Sequence, residues 1–190
     1  MKVLVSAASK YGATGEIAAA IGEELRARGI EAVVVAPEGV DDVREYDGVV
    51  LGSAVYAGRW LGPARDLAGR SSEALRSRPV WLFSSGPVGD PSRKLVRKMG
   101  ADPVDLPKVR EKTAARDHHM FSGKIDRKNL PLFQRTATVL FRMDGDFRDW
   151  SEVREWASRI ADDLQAAPAP TEPARGSAGA ADQPPRPAPG

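Results

Sequence analysis

Lys2-Val3-Leu4-Val5-Ser6-Ala7 and, two residues on, Ser9-Lys10-Tyr11-Gly12-Ala13-Thr14 carry the strongest local signal in this chain. The first run is apolar and β-branched, as a buried strand requires. The second leads directly into Ile17, Ala18, Ile21 and Leu25, spaced as one face of a helix. A hydroxyl-and-glycine loop between a buried strand and a helix start suits a phosphate. The free N–H groups of the first helical turn point at it, and the helix dipole favours its charge. Gly12 lets the backbone come close, while Ser9 and Thr14 offer hydroxyl donors at the two ends of the loop. The same residues also fit an ordinary strand-to-helix turn with Thr14 as N-cap. The loop is not a Walker A, because it lacks a Gly-Lys-Ser/Thr triplet, and without a glycine two residues before Gly12 it is not the dinucleotide fingerprint.

Outward from this loop, strand and helix signals alternate. Residues 31–36, 48–54 and 79–85 are near-continuous apolar runs of the kind that strands covered on both faces show, and a fifth strand is expected at residues 119–125. The first helix has Gly29 as its C′ residue, and the helix after the third strand has Pro63 in its first turn. A last helix begins at Ser151, with Val153, Trp156, Ile160 and Leu164 on one side. Five strands alternating with helices predict an α/β doubly wound domain with a parallel sheet and helices on both faces. Ligands of such sheets bind beyond the carboxyl ends of the strands, where the strand order reverses. The expected site is therefore built from the loops leaving the first, third and fourth strands. Beside Ser9 to Thr14 these hold Ser53, Ala54, Val55, Tyr56, Gly58 and Trp60, then Ser84, Ser85, Gly86, Pro87, Gly89 and Asp90. Tyr56 and Trp60 are the candidates to lie against a flat ring, and local packing against the next helix would also account for them.

Composition bounds the rest. The chain has 190 residues, and residues 166–190 hold seven of its 15 prolines with no aromatic residue and no Val, Ile or Leu. Such a segment cannot bury enough apolar area to offset its ordering entropy, so a disordered Ala/Pro-rich tail is expected after a single domain spanning residues 1–165. With no cysteine in the chain, disulfides, thiol catalysis and iron–sulfur ligation are excluded. Apolar runs are strand-sized and the N-terminus lacks signal-peptide order, so a soluble, cytoplasmic protein is expected.

Net charge is only +2, but residues 88–135 carry 12 basic and 6 acidic groups. Arg93, Lys94, Arg97, Lys98, Lys108, Arg110, Lys112, Arg116, Lys124, Arg127 and Lys128 form this basic region. A solvated face, an anionic substrate and an acidic membrane surface all fit it. Nucleic acid is not expected as a partner, because no aromatic residue interleaves the charges between 93 and 116. Residues 130–143 have a broad apolar surface edged by Arg127, Lys128, Arg135 and Arg142, which fits either packing on the domain or a peripheral helix at the inner face of a membrane.

The three loops together resemble those of the flavodoxin family, and the resemblance covers residues 1–165. It implies a flavodoxin-like five-stranded parallel sheet in the order 2-1-3-4-5 and FMN as cofactor. The phosphate would sit at Ser9-Lys10-Tyr11-Gly12-Ala13-Thr14, and the flavin ring between the other two loops. Within the family the chain is similar to the menaquinone-dependent protoporphyrinogen dehydrogenase branch. It shares the Gly12-x-Thr14 loop with a basic residue at Lys10, the stretch Gly52-Ser53-Ala54-Val55-Tyr56-Ala57-Gly58, and an aspartate–tryptophan pair at Asp149-Trp150. That branch implies an FMN-dependent oxidoreductase of heme biosynthesis, with a porphyrinogen as small-molecule substrate and a quinone as acceptor. The alternative is an electron-transfer module docking to a redox protein partner. Electron-carrier flavodoxins are typically strongly acidic, and this chain is not. The segment after Arg93 does not align with the branch, so no substrate residues carry over.

No catalytic side chain is assigned, since flavin chemistry belongs to the cofactor and needs neither nucleophile nor metal. His118 and His119 are adjacent, point to opposite faces of a strand and cannot chelate together with helical spacing. Glu38 and Asp41 follow the second strand, where dinucleotide enzymes hold a ribose, but the glycine fingerprint is missing. A phosphoacceptor receiver domain is excluded, because Ala7 and Ala8 stand where it needs carboxylates.

Overall fold

Strand β1, Lys2–Ala8, is buried on both faces, with Val3, Val5 and Ala7 turned to one layer and Leu4 and Ala8 to the other. This alternation sets the architecture, since a strand apolar on both sides must sit in the middle of a sheet with helices above and below. The computed structural model describes residues 1–86, 102–125 and 145–166. Helix α1 (Ala13–Ala27) ends at Gly29, whose φ of +80° makes it the expected left-handed terminator. There follow β2 (Glu31–Val34), β3 (Gly48–Tyr56), β4 (Arg59–Trp60), α2 (Gly62–Arg70), α3 (Ser72–Arg76) and β5 (Val80–Ser85). After them come α4 (Leu106–Thr113), β6 (Asp117–Phe121), β7 (Lys124–Ile125), β8 (Gly145–Asp146) and α5 (Trp150–Ala166).

The main sheet runs β2-β1-β3-β5-β6, all parallel, so its five long strands take the expected order. Three details differ from the sequence expectations. The second strand stops at Val34, two residues short, and the chain turns into a 3-10 turn over Pro37–Gly39. The fifth covers Asp117–Phe121 instead of residues 119–125, because its partner β5 ends at Ser85, opposite Phe121. Lys124 and Ile125 pair instead with β8, antiparallel. Strand β4 was not expected. It arises because Ala57 and Gly58 both take positive φ, 49° and 72°, which folds the end of β3 back in a two-residue hairpin.

Helices α1 and α5 cover one face of the sheet. There Phe83, Phe121 and Trp156 meet edge to face, with ring centroids 5.6 to 6.1 Å apart. Helices α2, α3 and α4 cover the other, over Leu51, Leu82, Trp60, Leu106 and Val109. Each fully buried large side chain contributes about 1.5–3 kcal/mol, and each aromatic pair about 0.5–1.5 kcal/mol more. A Cβ on Gly52 would lie 2.2 Å from the Phe83 ring, so that ring packs flat against the β3 backbone. Among the described residues no helix is long and apolar enough to cross a membrane. The amphipathic stretch 130–143, the basic residues 93–98 and 127–128, the site candidates Pro87, Gly89 and Asp90, and the tail after Ala166 lie outside the described residues.

Candidate functional site

Because β1 is central, with Ala8 beside Ser53 of β3 and β2 on its other side, the chain leaves β1 and β3 in opposite directions. A crevice opens at their carboxyl ends, the position at which open α/β sheets bind ligands; FMN in flavodoxins is a standing example of this rule. The loop leaving β1 forms one wall. Gly12 is the N-cap of α1 at φ +88° and ψ −28°, a backbone that L side chains rarely adopt. Among the described residues a Cβ there would touch nothing within 4 Å, so the backbone conformation is what demands the glycine. Thr14 is therefore not the cap. It lies inside the first turn, 2% exposed, and its hydroxyl has no partner among the described residues. The first intrahelical bond runs from Glu16 N–H to Gly12 O at 2.9 Å, which leaves the N–H groups of Ala13, Thr14 and Gly15 without a helical acceptor. Three amides without a helical acceptor, beside a hydroxyl that has no partner among the described residues, are what a phosphate monoester needs.

The second wall is the β3–β4 hairpin. Tyr56, at its start, meets Tyr11 of the first loop edge to face at 6.3 Å, and the Lys10 ammonium lies 5.2 and 5.3 Å from the two ring centroids. Both tyrosines are more than a third exposed, an apolar surface at the mouth of the crevice. Burial, reinforced by Tyr11, raises the Tyr56 pKa, so its hydroxyl stays protonated at neutral pH. The loop after β5 closes against this wall. Gly86, at φ +119°, donates to Phe121 O at 3.1 Å and runs so near Val55 that a Cβ would sit 3.6 Å from the Val55 carbonyl oxygen. Lys10, Tyr11 and Tyr56 thus meet across the carboxyl ends of β1 and β3, and Gly86 runs against Val55 beside them.

Trp60, a candidate to lie against a ring, instead turns inward and is 2% exposed. Its indole N–H donates to Ser84 Oγ at 2.8 Å, and its backbone N–H donates to the Asp105 carboxylate at 3.1 and 3.2 Å. Hairpin geometry forces this, because Trp60 pairs with Val55 and its side chain falls on the face covered by α2 and α4. Ser53 and Ser84, also site candidates, are fully buried and committed to the protein. Ser53 Oγ donates to Ala54 O and accepts from Leu61 N–H. Ser84 Oγ, which accepts from the Trp60 indole, also hydrogen-bonds His118 Nε2 at 2.8 Å. The other ring nitrogen, Nδ1, lies 3.6 Å from Asp102 Oδ1. Burial lowers the His118 pKa, only partly opposed by Asp102. Trp60, Ser84 and His118 thus form a hydrogen-bonded tether under the hairpin, and Ser84, fully buried, is not an accessible nucleophile. Ala54 and Ser85 are also buried, at 7% and 5%. The histidines do split between faces, with His119 packed on Phe121 and bonded to Glu152 at 3.0 Å.

Sequence reasoning missed Asp105, His118 as tether, and Arg148. Only the last left a trace, since it directly precedes the Asp149-Trp150 pair.

Doubly wound sheet, crevice and glycine-hydroxyl loop together define a flavodoxin-like α/β protein. The sequence profile described as Flavodoxin domain matches residues 4–150, and the chain belongs to that family. Members of the family bind FMN and act as electron carriers or oxidoreductases, and FMN is the cofactor of this family. No curated protein matched the sequence. Among solved structures the chain is similar to a flavodoxin from the domain Archaea, at 15% identity and a TM-score of 0.59 over 87% of this chain and 99% of that one. It is similar to oxidised flavodoxin 1 from Bacillus cereus at 14% identity and a TM-score of 0.57, over 85% and 98%. It also matches rubredoxin oxygen:oxidoreductase from Desulfovibrio gigas at 14% identity and a TM-score of 0.55, over 87% of this chain and 36% of that one. At these identities the likeness is one of fold.

Proposed function

We propose that this protein is an FMN-dependent oxidoreductase that oxidises a porphyrinogen and passes the electrons to a quinone, a step of heme biosynthesis. The observation that carries the flavin site is the convergence at the β1/β3 edge of an anion cradle with an exposed tyrosine pair. Ser9, Gly12, Thr14 and the free amides of the first turn of α1 would hold the phosphate. Tyr56 would lie against the ring, with Val55, Gly58 and Gly86 shaping its sides. When bound, FMN supplies reversible two-electron chemistry whose electrons can leave singly or in pairs. The protein's part is to bind, orient and shield.

Support for an enzyme over a carrier comes from the Lys10 ammonium above both tyrosines and from exposed Arg59 on the hairpin, where a carrier of the family's acidic type would present carboxylates. Support for the porphyrinogen branch is the motif likeness at Gly12-x-Thr14, residues 52–58 and Asp149-Trp150. The amphipathic pattern of residues 130–143 supports a peripheral approach to a membrane quinone. The test is anaerobic absorption spectroscopy of the FMN-loaded protein. Protoporphyrinogen should bleach the flavin bands and menaquinone should restore them. Bleaching by a reduced redox protein but not by the porphyrinogen would establish the carrier alternative, and a protein that stays colourless with FMN would overturn both.

A further inference from the structure

Arg148 lies between β8 and α5 with its side chain only 3% exposed. A buried guanidinium must satisfy its donors inside the protein, and four of its bonds are made. Nε and Nη2 grip the two oxygens of Asp146 at 2.8 and 2.6 Å, a bidentate clamp. Nη1 donates to Glu16 Oε2 at 2.7 Å and to the backbone oxygen of Ala13 at 3.2 Å. The Trp150 ring covers the guanidinium, with its centroid 4.5 Å away. Two of these bonds therefore end on the first turn of α1, immediately after Gly12.

The bond to Ala13 O has a specific consequence. The Ala13 carbonyl and the Thr14 N–H belong to one planar peptide unit, so fixing the direction of the oxygen fixes the direction of the hydrogen. Thr14 N–H is one of the amides left without a helical acceptor at the mouth of the crevice. The guanidinium also compensates the carboxylates of Glu16 and Asp146, which would otherwise repel an anion at that helix start. Resting on the FMN assignment above, we propose that Arg148 is a positioning residue for phosphate recognition. From behind the loop it orients the first-turn amides and neutralises their acidic neighbours, so that the crevice prefers a flavin monophosphate to the uncharged flavin. It does this without touching the ligand.

Affinities of FMN and riboflavin for the apoprotein, read by quenching of flavin fluorescence, test this in wild type, Arg148→Gln and Arg148→Lys. Wild type should prefer FMN. Arg148→Gln should lose about tenfold or more in FMN affinity, the scale of one misplaced charge-assisted bond, while its riboflavin affinity stays within about twofold. Should the glutamine variant not fold, Arg148→Lys decides, because lysine keeps the charge but cannot hold Asp146, Glu16 and Ala13 together. It should also lower the FMN-to-riboflavin ratio, by a smaller factor. Equal losses for both flavins, or an unchanged ratio in the variants, would overturn the role of Arg148 while leaving the FMN site standing. A wild type that binds neither flavin, or both equally, would overturn the FMN site and the role of Arg148 with it.

Discussion

Gly52 offers the sharpest test of how core and cofactor site divide the loop after β3. A Cβ placed there would lie 2.2 Å from Phe83 Cε1 and Cζ and 2.6 Å from Cε2, inside any tolerable contact. Gly52→Ala must therefore push the ring away or bend β3. The ring is held on its other sides by Phe121 at 5.9 Å and Trp156 at 6.1 Å, so it cannot move without giving up edge-to-face packing. Overpacking of a dense core costs about 1–3 kcal/mol, and disturbing the aromatic pairs adds about 0.5–1.5 kcal/mol. The sum, about 1.5–4.5 kcal/mol, corresponds to a fall of about 3–18 °C in Tm for a domain of this size. Thermal and urea unfolding of the apoprotein would measure it. The double variant Gly52→Ala/Phe83→Leu should recover part of the loss, because a smaller side chain makes room. FMN affinity of the folded fraction should be unchanged. A variant with wild-type Tm but impaired FMN binding would refute the argument and move Gly52 into the cofactor site.

Three further outcomes are expected. Thr14→Ala should weaken FMN by about 1–2 kcal/mol, the value of one buried hydrogen bond to a charged group, in a fluorescence titration; unchanged affinity would mean the phosphate lies elsewhere. Tyr56→Ala should restore fluorescence to bound flavin, whereas Trp60→Ala should leave the quenching intact and lower stability by about 3–5 kcal/mol as a core truncation. His118 sets a pH dependence: burial holds its folded pKa below the ordinary imidazole value of about 6.5, so its contribution is complete above that value. As pH falls below about 6.5 the unfolded chain takes up a proton that the folded chain refuses, and stability drops until the folded pKa is reached. The urea midpoint should therefore fall from pH 7.5 to 5.5 in wild type and change less in His118→Gln. Parallel declines in the two proteins would rule out His118 as the titrating group. The carboxylates of Glu24, Asp117, Asp146 and Asp149 are shifted down, so their losses come at more acid pH.

What the sequence by itself determined was whatever is encoded in short-range periodicity and backbone preference. The apolar runs of β1, β3 and β5 specify strands covered on both faces, the spacing of Ile17, Ile21 and Leu25 specifies α1, and Gly29 marks its C-terminal end, whereas the structure made Gly12 and not Thr14 the cap at its start. Those local facts fix a parallel doubly wound sheet and place a glycine-hydroxyl loop at its switch point; the cofactor class came from the resemblance of the three loops to those of flavodoxins. Tertiary structure decided where individual side chains go. Trp60 and Ser84 are 24 residues apart and meet only because β3 and β5 are sheet neighbours. An exposed aromatic and a buried one look alike in sequence, and the positive φ of Ala57, which turns Trp60 inward, has no signature in an alanine. Arg148 reaches Glu16 across 132 residues of sequence, because α5 packs beside α1 on the same face of the sheet. Periodicity reports which face a residue occupies. Only the packed sheet and its helices bring particular faces together, and with them the tether beneath the hairpin and the guanidinium behind the anion cradle.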